Sequence, residues 1–140
     1  MQKEKQRESA PLESRAVMKK NSDRFFWQKQ LKAVTISDSV TQIESSAFYN
    51  CTGLTEVMVP PSVTVIEGYA FKNCTGLLHI TIPNSVTQIE WYAFAGCKSL
   101  TYIIYRGTVK EWKSIPKGIE WDADTGHYTV ICTDGTISKR

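Results

Sequence analysis

At 140 residues, 41% hydrophobic and 22% charged, the chain is long enough for one domain with a continuous core and has the composition of a globular protein. Its net charge of +3 is uneven: residues 1–30 hold eight Lys/Arg against four Asp/Glu, and residues 31–140 hold nine against ten. No apolar run reaches the roughly 18–20 residues of a membrane span, no apolar secretory core follows Met1, and residues 31–140 lack the basic footprint of a nucleic-acid binder.

Residues 1–30 read as a charged N-terminal segment, partly disordered, with residues 1–18 expected to be disordered or a loose helix. Phe25, Phe26 and Trp27 follow. They can lie over the exposed face of the first repeat, belong to a preceding coil, or form a patch through which the N-terminal edge self-associates; a cap at 25–30 is the favoured reading. If Met1 is the natural start, the expected location is the cytoplasm.

From Leu31 the sequence repeats without gaps every 23 residues, over 31–53, 54–76 and 77–99, and a partial copy runs from 100 to 108. Ala47-Phe48, Ala70-Phe71 and Ala93-Phe94 recur in step, as do Cys51, Cys74 and Cys97. Each unit begins with a short strand of period 2, in which Leu54, Val57 and Val59 face inward. Proline at 60, 61 or 83 turns the chain, because it fixes φ and donates no hydrogen bond. A second short strand follows, and then a tight helical or 3₁₀ corner that carries Ala, Phe and Cys inward. Twenty-three residues cannot bury their own apolar face, so the coils must stack, with identical residues in columns.

Residues 109–140 read as a C-terminal cap, since an open solenoid exposes its last coil. Val109, Trp112 and Ile115 are spaced for a short amphipathic helix. A hairpin follows, with Asp134-Gly135 as the expected turn. Trp112 and Trp121 are assigned to the core of this cap.

The pattern LxxIxIPxSVTxIxxxAFxxCxxL over Leu31 to about Thr108, with the tail beyond it, resembles the BspA-type leucine-rich repeat of bacterial and protist surface proteins. The resemblance implies a β-rich right-handed solenoid with short strands, closed by a helix and hairpin. It also implies a secreted or cell-surface protein that attaches to other proteins without catalysis. It supplies no catalytic residues and no cofactor.

The period accounts for most of the residues that suggest chemistry. Cys51, Cys74, Cys97, Phe48, Phe71 and Phe94 sit at in-register inward positions and are read as core, the thiols buried and reduced. No Cys or His has zinc-ligand spacing. Asp122, Asp124 and Gly126 begin like a calcium loop, but Thr133 stands where the loop needs a bidentate Glu. Asn50 and Asn73 lie in glycosylation sequons that are part of the repeat pattern. His79 and His127 have no nucleophile and orienting acid beside them in sequence. No enzyme activity, metal or cofactor is expected.

Residues that depart from the repeat yet face outward are the candidates for binding. On the longer strands these are Met58, Leu78, His79, Tyr102 and Ile104. On the opposite side they are Tyr69, Trp91 and Tyr92. Four strands make a face of only ~200–300 Å², against ~800 Å² per partner in a standard interface. The expected partner is therefore a protein or surface ligand held weakly or multivalently. The alternatives are a structural cap or stalk of a larger surface protein and a cytoplasmic scaffold or regulator.

Overall fold

The computed structural model describes residues 14–139. Strands of two lengths alternate. The longer ones are β1 (Arg15–Met18), β2 (Ala33–Ile36), β4 (Glu56–Met58), β6 (His79–Pro83) and β8 (Tyr102–Arg106). The shorter ones are β3 (Gln42–Ile43), β5 (Val65–Ile66) and β7 (Gln88–Ile89). A helix, α1 (Val109–Ser114), and the strands β9 (Thr129–Cys132) and β10 (Gly135–Ser138) follow. The short strands form a parallel sheet β3-β5-β7, and the long ones form a sheet β4-β6-β8-β9-β10 and a separate pair β1-β2. The architecture is a β-solenoid of leucine-rich-repeat type.

The 23-residue step sets the register: Val57 pairs with Ile80 and Ile80 with Ile103. Identical inward side chains therefore stack one strand spacing apart, and Leu31, Leu54, Leu77 and Leu100 are all buried. Serine at the turn after β2, β4 and β6 ties neighbouring coils. Ser62 Oγ donates to Val40 O at 2.6 Å and Ser85 Oγ to Val63 O at 2.7 Å. Each corner is a run of i→i−3 turns, such as Ala47 N–H to Glu44 O and Cys51 N–H to Phe48 O, both 3.1 Å. Two left-handed residues break it before it becomes a helix: Ser46, Tyr69 and Tyr92 in one column, and Asn50, Asn73 and Gly96 in the other. Gly96 is needed for a second reason, because the Asn73 side chain lies where a Cβ would stand.

Inside the corners Phe25, Phe48, Phe71 and Phe94 stack, with centroids 5.5, 5.1 and 5.2 Å apart. Beside them Cys51, Cys74 and Cys97 donate to Phe25 O, Phe48 O and Phe71 O at 3.0, 3.0 and 3.1 Å. Each thiol thus spends its only donor on a buried carbonyl of the coil before it. Burial pushes Cys51 up to about 11 and Cys97 up to about 12, and it pushes Cys74 well above the ordinary thiol value of 9.0.

Both ends differ from the sequence reading. Residues 15–18 form a strand in parallel register with β2, not a loose helix, and Met18 is fully buried; residues 1–13 lie outside the described residues. Phe25 occupies the phenylalanine position of a preceding coil, its N–H donating to Ala47 O at 2.6 Å, and Trp27 takes the left-handed position of Asn50. The 25–30 segment is therefore the corner of a shortened coil rather than a lid over coil one.

At the other end the repeat continues through the expected cap. Tyr92, Phe94 and Gly96 N–H donate to Ile119, Trp121 and Ala123 O at 3.1, 2.7 and 2.8 Å, and Glu120 and Asp124 are left-handed. A further corner therefore stands here, with α1 inserted ahead of it. A capping box between Thr108 and Glu111 starts that helix. The hairpin turn is Thr133-Asp134, one residue earlier than expected, since Gly135 pairs with Cys132. Asp134 is held there because its Oδ1 accepts from Val109 N–H at 2.8 Å, satisfying a free donor at the helix start.

Candidate functional site

The long strands carry the outward residues chosen from sequence into two rows. One row is Glu56, His79, Tyr102 and Thr129, and the other is Met58, Thr81, Ile104 and Ile131. Met58 is 63% exposed, Leu78 and Tyr102 are each 42% exposed, and Ile104 is half-buried. The side chains alternate because inward Val57, Ile80 and Ile103 hold the core. The face is stitched laterally: His79 Nδ1 lies 3.7 Å from Glu56 Oε1, an ion pair whenever the imidazole is protonated, and its ring lies 6.2 Å from that of Tyr102. Thr81 is the short member of its row and is buried between larger neighbours. This leaves a shallow pit of about 240 Å³ bordered by Met58, His79 and Ile104.

Tyr69, Trp91 and Tyr92 gather on the corners. Tyr69 and Tyr92 stack at 5.4 Å with an interplanar angle of 3°. The Trp91 indole lies against Gly68, where any Cβ would meet its Nε1, and the ring is still 49% exposed. Part of this cluster is therefore repeat stacking. Tyr69 and Tyr92 are half-buried against each other, which leaves less free surface than their sequence positions suggest.

The aromatic side chains of the C-terminal end are committed to sealing it. Trp112 is buried, packing against Tyr105 and Trp121 at 5.1 and 6.0 Å, and Trp121 meets Phe94 edge-on at 6.1 Å, ending the phenylalanine column. Lys117 threads between them: its Nζ donates to Trp112 O and Ile115 O at 2.7 and 3.0 Å and lies 4.4 Å from the Trp112 ring centroid. Burial lowers its pKa, and the nearby Asp122 opposes that shift. Asp122 accepts from the Tyr128 hydroxyl at 2.7 Å and lies 3.6 Å from Lys139 Nζ, so this carboxylate serves the cap.

A groove of about 420 Å³ at the proline edge of the long strands escaped the sequence reading. The signal was present: Pro60 and Pro83 stand one repeat apart, and Arg106 comes next in the same column. No group of three or more metal-ligating side chains occurs among the described residues, and no helix there is long and apolar enough to cross a membrane.

A family model described as BspA type leucine-rich repeat region, in six copies, matches residues 19–115. The match begins well before Leu31, in agreement with the shortened first coil. The chain is similar to a solved leucine-rich cell surface protein from Faecalibacterium prausnitzii A2-165, at 28% identity with a TM-score of 0.65, over 74% of this chain and 28% of that one. It is also similar to a solved leucine-rich repeat protein from Bacteroides ovatus ATCC 8483, at 29% identity with a TM-score of 0.52, over 66% of this chain and 25% of that one. The chain thus spans about a quarter of the length of either solved protein. Among curated proteins no sequence matches.

Proposed function

The chain belongs to the BspA-type leucine-rich repeat family, and on that premise we propose that it is a non-catalytic module for binding another protein, working through the outward face of its long strands. One observation carries the reading. Met58 is the most exposed large apolar side chain of this face, and it stands with His79 and Tyr102 on a sheet whose stability comes from the opposite side. A large exposed thioether beside an imidazole and a phenol on neighbouring strands suits adaptable contact with a protein surface. The face is small, so a single copy binds weakly and useful attachment comes from several copies or a longer array.

The second reading is a structural end piece of a larger surface array, and the share of the solved relatives that the chain spans favours it. Capture of surface proteins by immobilised chain, compared with a Met58→Ser/His79→Ala/Tyr102→Ala variant, separates the two. Selective capture that the triple change abolishes supports the binding face. Capture unaltered by the triple change removes it, and an absence of capture leaves the end-piece reading.

A further inference from the structure

We propose that the groove at the proline edge is a second binding site, built for a short, extended apolar peptide segment that ends in a free carboxylate. No hydrogen-bonded ladder joins β2 to β4. Ser37 N–H donates to Met18 O at 2.9 Å across β1 and β2, and Pro60, one repeat later, has no N–H to offer β2 in turn. No ladder bond closes this point, and Ile36, Met58, Pro60, Pro61 and Pro83 line the groove beside it. Its volume of about 420 Å³ is that of a small-ligand site.

The ends of the groove carry opposite charges. Asp38 stands on the coil of β2 and Arg106 on β8, both exposed and both lining the groove. Neither side chain has an ion-pair or hydrogen-bond partner among the described residues. Three strand steps separate their coils, or about 14 Å at the usual spacing, which an extended peptide covers in about four residues. A guanidinium presents paired donors that match a carboxylate. The complement is an apolar tetrapeptide with its carboxylate on Arg106 and its amino group on Asp38. The site borders the sheet face at Met58, which lines both, but His79 and Tyr102 take no part in it.

The test uses calorimetric titration of the full chain with an unlabelled four-residue peptide of valine and leucine, in four forms: free, C-terminally amidated, N-acetylated and doubly blocked. The native chain should bind the free peptide, and amidation should weaken binding roughly tenfold, the size of a lost charge-assisted contact. Arg106→Gln should bind the free and amidated peptides alike, and Asp38→Asn should abolish the preference for a free amino group. Both positions are exposed, so unchanged melting temperatures confirm folded variants. Equal affinity of the native chain for acid and amide, a preference retained in Arg106→Gln, or an absence of binding by any form overturns the proposal. A His79→Ala/Tyr102→Ala variant that keeps Met58 leaves this titration unaltered, so failure here is distinct from failure of the sheet face.

Discussion

The two ends of this solenoid meet the same problem with opposite changes of length. At the N-terminus, Met18 pairs with Ile36 while Phe25 lies over Phe48. The path from strand to corner is seven residues instead of twelve, five fewer. At the C-terminus the left-handed residues Gly96 and Asp124 are 28 apart, against 23 between Asn73 and Gly96, and the five extra residues accommodate α1. The short coil has no second strand. Asn21 replaces it with one side chain: its Oδ1 accepts from Thr41 N–H at 2.8 Å, where later coils use the carbonyls of Thr41 and Thr64. The long coil instead adds a helix, a hairpin and a cluster of aromatic rings. The first solution leaves Phe26 and Trp27 exposed, and the second buries Trp112. A coil can end cheaply by satisfying its backbone, but only added mass covers its apolar surface.

The largest expected break in this comparison is Trp112→Ala, which should lower stability by about 3–5 kcal/mol as a large core truncation. Phe25→Ala, at the thinner end, should cost less, about 2 kcal/mol. Chemical denaturation of both variants measures the difference, and equal losses would mean that the ends are sealed equally.

The thiol column compares the ends from within. Cys51 lies under the short coil and Cys97 under the long one, and their values of about 11 and about 12 follow that order. A raised thiol keeps its stabilisation below the ordinary 9.0 and loses it as pH climbs through the folded value. Raising Cys51 from 9.0 to about 11 corresponds to about 3 kcal/mol. Stability should therefore decline above pH 9, and in a Cys132→Ser background Cys51 should label before Cys97. Simultaneous labelling from pH 8 upward would argue against a buried column.

Asn21→Ala removes the side chain that stands in for a strand, and leaves Thr41 N–H without its partner. The expected loss is about 1–2 kcal/mol. Thr108→Ala, which opens the capping box of α1, should cost about 1 kcal/mol. Hydrogen exchange localises each: opening at Thr41 and Gln42 for the first and at Glu111 for the second.

The smallest effect is expected at Trp27. Its φ of 67° is strained for a bulky side chain, and its ring makes only an edge contact with Tyr49 at 5.7 Å. Trp27→Asn, copying Asn50 and Asn73, should change stability by less than about 1 kcal/mol, because strain relief and the lost ring contact offset each other. A large loss in thermal unfolding would show that the ring seals the N-terminal end after all.

The sequence by itself determined the solenoid, its 23-residue step, the inward Leu, Phe and Cys columns and the outward placing of Met58, His79 and Tyr102. Each follows from local periodicity multiplied by exact repetition, which leaves one register in which like meets like. It offered a preceding coil at Phe25–Trp27 only as an alternative to a cap, because five residues are absent there and a search for fixed spacing cannot see a coil of another length. The corner at Glu120 and Asp124 was hidden for the converse reason. The groove between Asp38 and Arg106 was decided only by the tertiary structure: its walls come from four different coils, beside a place where no ladder joins β2 to β4. Repetition places side chains in columns, but the space between columns exists only once the coils have stacked.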